Sequence, residues 1–140
     1  MVAVPIFKEN PMKENPEITA LKETLERFRK NGKILLAYLY GSYAKGSQHK
    51  RSDIDLAIFI NTDDEKEAVL ITDSILMAAE GPVEVLRLDD EDESPFVIQE
   101  SLKGIPLVEP DMETLYMVAH RALHQSEGIR YKRAIAAGQT

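Results

Sequence analysis

The sequence predicts an α/β (α+β) protein built on a small mixed β-sheet with flanking helices and a C-terminal helical tail. Three observations carry this. Residues 34–40 and 56–60 are short apolar runs, rich in β-branched, aromatic and leucine residues and bounded by turn formers, which reads as buried strands. Around them lie stretches with helical spacing and recognisable start and stop signals. The elements also alternate in type along the chain: helix, strand, helical turn, strand, helix, strand, helix, helical tail. That order suits a sheet covered by helices, and 140 residues leave room for one domain with a real core.

Residues 1–15 hold Pro5 and Pro11 among polar residues without a period, and read as an N-terminal tail or a docking strap. The first helix takes Asn15 as N-cap and Pro16 as its first residue, and Gly32 stops it. Ile18, Leu21, Leu25 and Phe28 form its apolar stripe, while Glu23/Arg27 and Glu26/Lys30 are i,i+4 pairs on the wet side. The first strand, 33–40, is apolar on both faces, which places it inside a covered sheet. A Gly41-Ser42 turn and about one turn of helix follow, then a basic loop through His49, Lys50 and Arg51, then the second strand. Thr62 and Glu65 fit a capping box, and residues 64–79 read as a helix ended by Gly81-Pro82. Residues 83–88 form a third strand, and the acidic cluster 89–93 reads as a solvated loop. Ser94 and Pro95 open a short helix to residue 103 that Gly104 stops. Residues 105–108 read as a short edge strand, because Pro106 cannot donate to a ladder. Asp111 caps a last helix to about residue 137, weakened at Gly128. The expected organisation is tail 1–15, core 16–110 and C-terminal helical extension 111–140.

Composition narrows the function classes. Hydrophobic content of 44% and charged content of 29% describe an ordinary water-soluble domain. The absence of Cys excludes a disulfide framework and a thiol nucleophile. No apolar run approaches the roughly 18 residues of a membrane span, and the start of the chain lacks a signal pattern. The expected location is cytoplasmic, with no membrane partner. A net charge of −7 argues against general nucleic-acid binding. It leaves nucleotides as ligands, because a divalent metal supplies positive charge.

The chemistry concentrates between the first two strands. Side chains at i and i+2 of a strand share a face, roughly 6.6–6.8 Å apart. Asp53 and Asp55 therefore present two carboxylates together, with apolar residues behind them. Like charges so placed repel unless a cation or proton sits between them. The oxygen-only donors suit Mg2+ or Mn2+ rather than zinc. Gly41 and Ser42, at a helix start, offer backbone N–H groups and a hydroxyl, which suits phosphate. Glu84 is the only acid inside the third strand and the candidate third carboxylate; Val83 and Val85 point to the other face. Its plainer reading is an exposed strand residue. Each feature is weak alone, and their combination is much stronger.

Gly41-Ser42, ten residues, then Asp53-Ile54-Asp55 resembles the signature of the nucleotidyltransferase superfamily that includes DNA polymerase β. The fuller string, Gly-Ser-x-Ala-x-Gly-x5-Ser-Asp-Ile-Asp-Leu, is similar to its minimal branch, the MNT-type domains. These are often encoded beside a small helical HEPN protein, as antitoxin and toxin. The resemblance covers residues from about 17 to 108. It implies a nucleotidyltransferase fold in which Ser42 binds the terminal phosphates of ATP and Gly41 lets the backbone approach them. It also implies that Asp53 and Asp55 hold two Mg2+ ions, or Mn2+ in their place. The third-strand acid would share one metal and help deprotonate the attacking hydroxyl. That acid is normally Asp and is Glu84 here; its extra methylene bears on activity and not on fold. The implied reaction is in-line attack of an acceptor hydroxyl on the α-phosphate, with pyrophosphate leaving and two metals about 3.5–4 Å apart. Some members of the branch move AMP from ATP onto a tyrosine of the partner toxin. The chain is short for a separate acceptor-binding domain, so the acceptor site is expected from another protein or from a second copy in a homo-oligomer.

Two other readings compete with this one. A haloacid-dehalogenase-like phosphatase also uses Asp-x-Asp, but wants Thr or Val where this chain has Ala57, and leaves Gly41-Ser42 unexplained. The serious rival is an antitoxin that keeps the fold and neutralises its partner by binding alone. Lys45, Lys50 and Arg51 read equally as triphosphate contacts or as a solvated loop. His120 and His124 have a zinc-capable i,i+4 spacing without a third ligand nearby, which favours a surface or interface role. Arg121, Arg130, Lys132 and Arg133 on the tail fit either packing on the core or partner docking.

Overall fold

In the computed structural model, which describes residues 16–44 and 53–138, the two apolar runs lie side by side at the centre of one sheet. The elements are α1 (Pro16–Lys30), β1 (Ile34–Tyr40), α2 (Gly41–Ala44), β2 (Ile54–Ile60), α3 (Glu65–Ala78), β3 (Val83–Arg87), α4 (Pro95–Ser101), β4 (Ile105–Pro106) and α5 (Met112–Ala136). The strand order is β3-β2-β1-β4. β1 runs antiparallel to both β2 and β4, and β2 and β3 are parallel. A parallel pair needs a long crossover, and α3 supplies it. The N-terminal tail 1–15, Asn15 as a cap, and the basic residues Lys45, His49, Lys50 and Arg51 fall outside the described residues.

Helices cover the sheet on both faces, which is why its central strands read as unbroken apolar runs. On one face, Leu21 and Leu25 of α1 and Ile71 and Ile75 of α3 pack on Leu39, Leu56 and Ile58. On the other, Ile98 of α4 and Val118 and Ala122 of α5 pack on Leu36, Tyr38, Ala57 and Leu86. Fully burying one such leucine or isoleucine contributes about 1.5–3 kcal/mol, so each helical layer is worth several such terms.

The element ends show where local signals acted and where they were overridden. Gly32 adopts φ 72° just past α1, and the Lys33 N–H donates back to the Phe28 carbonyl at 2.9 Å, a left-handed stop that glycine takes without a Cβ penalty. α3 is capped by Asp64, whose carboxylate accepts from Lys66 N at 3.0 Å. Thr62 sits too early for the expected capping box; its hydroxyl accepts from Asp64 N at 3.1 Å and shapes the approach. Ser94 makes no side-chain cap bond, and α4 starts on Pro95 and ends at Ser101, short of residue 103. β4 is only two residues long, with Leu107 N donating to the Ala37 carbonyl at 2.8 Å beyond it. α5 begins at the Asp111 cap and runs unbroken through Gly128. One glycine costs a helix about 1 kcal/mol, and the turns beyond it are held by Arg130 and Arg133 over the Phe96 ring, at 5.4 and 5.6 Å.

Candidate functional site

The sheet register brings three polar side chains into one row. Tyr40 of β1 lies opposite Asp55 of β2, and Asp55 lies opposite Glu84 of β3. Registered neighbours share a face, and here it is the face of Tyr38, Ala57 and Leu86, on the α4/α5 side. The intervening Ile54, Leu56, Val83 and Val85 serve the α1/α3 core. Ile54 N donates to the Pro82 carbonyl at 2.9 Å, which pins the start of β2 to the start of β3. The row sits at the rim of the sheet, so Asp55 is half-buried while Asp53 and Glu84 are exposed.

Asp55 senses its two acidic neighbours. Burial pushes the Asp55 carboxyl above the ordinary carboxylate range, and the charges of Glu84 and then Asp53 add to the rise. The Tyr40 hydroxyl is pushed up to about 12, first by burial and then by the charges of Asp55, Glu84 and Glu93. It stays a protonated donor beside the carboxylates. Neither Tyr40 nor Glu93 was singled out from the sequence. Tyr40 looked like the last apolar residue of a strand, and only pairing β1 against β2 sets it opposite Asp55. Glu93 looked like one acid in a solvated loop.

Gly41 is required twice over. Its φ is 72°, and a Cβ built on it would run into Oδ2 of Asp55. The glycine thus makes room for the carboxylate as well as for the turn. Ser42 follows in α2, half-buried and engaged in contacts of its own. α2 has only four residues, so its dipole is weak, and any phosphate held here would depend on N–H groups and the hydroxyl.

Among the described residues no group of three His, Asp or Glu side chains is arranged to hold a metal ion by itself. The oxygen donors of Asp53, Asp55 and Glu84 nonetheless fit Mg2+, which is usually bound by one or two carboxylates plus substrate phosphates rather than by an all-protein cage. Elsewhere, His120 and His124 stack edge to face with ring centroids 4.6 Å apart, both exposed. Arg121 donates to the Leu88 carbonyl at 2.8 Å, so with Arg130 and Arg133 it packs α5 on the core.

With this geometry in place, the chain can be set beside known proteins. The family model described as Polymerase beta, Nucleotidyltransferase matches residues 22–113. The chain belongs to this nucleotidyltransferase family. Over 47 residues it is 40% identical to the protein adenylyltransferase MntA of Shewanella oneidensis, a stretch covering 34% of this chain and 30% of that relative. A crystal structure of a toxin–antitoxin with AMP-PNP matches with a TM-score of 0.62 at 21% identity, over 84% of this chain and 95% of that one. A structure of tri-AMPylated Shewanella oneidensis HEPN toxin in complex with MNT antitoxin contains a chain matching with a TM-score of 0.58 at 18% identity, over 87% and 96%. These likenesses show the nucleotidyltransferase fold.

Proposed function

We propose that this chain is the antitoxin of a toxin–antitoxin pair and a Mg2+-dependent nucleotidyltransferase. It moves AMP from ATP to a hydroxyl, the acceptor being a tyrosine of a HEPN-type toxin. The observation that carries this reading is the row of Asp55 and Glu84 beside Tyr40, with Gly41 making room above it. Membership of the family supports it, as do a relative named as a protein adenylyltransferase and matching structures from toxin–antitoxin complexes.

In this mechanism Gly41 lets the triphosphate approach the backbone, and the Ser42 hydroxyl donates to a terminal phosphate oxygen. Asp53, Asp55 and Glu84 would hold the metal, which when bound neutralises charge on the triphosphate and on the entering oxygen. Glu84 takes the proton of the attacking hydroxyl. The acceptor oxygen bonds to the α-phosphorus as the bond to the bridging oxygen breaks, and pyrophosphate leaves. Tyr40 stays neutral beside the acids and adds no charge to the row.

Mg2+ and a non-hydrolysable ATP analogue added together raise the melting temperature, by binding worth about 2.7 kcal/mol at a hundredfold excess over Kd. Mg2+ alone does little, because the phosphates complete its ligand set. Asp53→Asn combined with Asp55→Asn abolishes the joint shift; an undiminished shift in that variant would put the metal elsewhere.

A second reading, neutralisation by binding alone, is favoured by one observation: Glu84 is exposed and one methylene longer than the aspartate that the family normally carries. Transfer of AMP to the toxin partner, measured for wild type, Glu84→Asp and Glu84→Gln, separates the two. Glu84→Gln loses transfer by roughly 10²-fold or more while keeping partner binding, and Glu84→Asp keeps or raises it. Equal transfer by Glu84→Gln moves the third carboxylate to another residue, with Glu93 the next to test. No pyrophosphate release from wild type with the partner bound leaves the binding reading standing.

A further inference from the structure

The outer side of α5 carries a seam that the site above does not use. Val118, Ala122 and Ser126 turn into the core, which leaves Met112, Tyr116 and Leu123 outside at 38%, 68% and 45% exposure. With half-buried Ala119 they recur at four, three and four residues, the spacing at which one helix meets another. Beyond Leu123 the seam continues through Glu127, Arg130 and Ala134, again at four, three and four. It is therefore a mirror about Leu123, apolar in its first half and charged in its second.

Two observations say what covers it. The charges around α5 are segregated, with Glu109, Asp111 and Glu113 at its start and Arg130, Lys132 and Arg133 near its end. An open groove also flanks the seam, where Ala119, Leu123 and Arg130 meet Gln99 of α4 and Leu102 and Lys103 just after it. Arg130 is exposed there, with the Phe96 ring under its guanidinium at 5.4 Å. A groove with apolar walls and two cations suits an aromatic side chain that keeps a polar tip.

We infer that a second copy of this chain covers the seam, its α5 antiparallel to the first about a two-fold axis at Leu123. The axis sets each residue before Leu123 against the residue equally far beyond it in the other copy. Leu123 packs on Leu123 of the second copy, and Met112 on its Ala134. Tyr116 enters the groove and lies over Arg130 of the second copy. His120 and Glu127 of the second copy share one flank, where the ring N–H donates to the carboxylate. The acidic start of each helix runs along the basic end of the other, and the two helix dipoles oppose. A parallel pair would set Glu127 on Glu127 and Arg130 on Arg130, a juxtaposition of like charges. A two-fold contact requires a surface that complements itself. The mirrored seam does so, and an unrelated partner would have no call for the mirror.

The test uses the full chain alone, without nucleotide. Sedimentation velocity gives the dimer at roughly 100 μM, one helix pair lying at the small end of the interface range. Leu123→Glu sets two carboxylates on the axis and raises the dissociation constant at least about tenfold, with circular dichroism unchanged. His120→Glu weakens the dimer, and adding Glu127→Lys to it restores the dimer. The chain has no Cys, so disulfide formation reports the register. Under mild oxidant Leu123→Cys links copy to copy, while Tyr116→Cys, far from its own image, does not. A wild type that stays monomeric, a dimer indifferent to Leu123→Glu, or linkage of both cysteine variants overturns the proposal. So does a monomeric wild type whose complex with a toxin-type partner is lost in Leu123→Glu, because the seam then belongs to that partner.

Discussion

Replacing Gly41 with alanine lowers AMP transfer on the order of 10²-fold and leaves most of the fold intact. The residue sits at φ 72°, a conformation that costs an L-residue roughly 1–2 kcal/mol. That cost is tolerable for the domain. The added methyl, however, meets Oδ2 of Asp55, and the cheapest relief is for that carboxylate to turn aside. Displacing a reacting or ligating group by about 1 Å costs on the order of 10²-fold in rate, so the loss falls on turnover and on Mg2+-dependent nucleotide binding. Circular dichroism of the variant stays near wild type, and its melting temperature falls only by the several degrees that about 1–2 kcal/mol implies. Transfer at the wild-type rate by Gly41→Ala would mean that Asp55 has no part in the reaction.

Asp55→Asn separates chemistry from stability. On the proposed mechanism, taking this carboxylate from the metal removes several kcal/mol of transition-state stabilisation, on the order of 10³-fold in transfer. The free protein responds in the opposite sense. Burial, with Glu84 and Asp53 nearby, holds the Asp55 carboxyl above its ordinary value of 3.8. The folded state therefore keeps its proton to higher pH than the unfolded state does. Stability falls as pH rises from the unfolded value through the raised folded value, and the deficit is constant above both. Asparagine does not titrate. Without nucleotide, the variant melts at or above the wild-type temperature at neutral pH, and this advantage vanishes as pH drops below the unfolded value. With Mg2+ and the ATP analogue, only wild type is stabilised. A variant that melts lower than wild type at neutral pH without ligand contradicts the burial and repulsion that raise the Asp55 carboxyl.

What the sequence made legible follows the range of each signal. β1, β2, β3 and the four longer helices are written in local patterns: apolar runs, stripes at Ile18, Leu21 and Leu25, and caps such as Asp111. Gly41, Ser42, Asp53, Asp55 and Glu84 stood out for the same reason, since each is a polar or turn residue inside or bordering an apolar run. Tyr40 and Glu93 did not, because their place depends on how β1 pairs with β2 and on the path of the loop behind β3. The two-residue length of β4 was equally hidden. The last helix was legible to about residue 137, and it runs through Gly128 with Arg130 and Arg133 packed on Phe96.

The parallel pairing of β2 with β3 has a consequence for how the molecule reaches its working state. Glu84 lies between Val83 and Val85, which pack against the apolar layer of α1 and α3. A slip of one residue would exchange the faces, driving the Glu84 carboxylate into that layer without a partner and leaving two valines at the rim. An isolated charge in such a place is prohibitively unfavourable. The hydrophobic layer therefore proofreads the site. A chain that closes it correctly has, in the same event, set Glu84 beside Asp55, and a chain that has not is rejected by its own core before ATP is ever met.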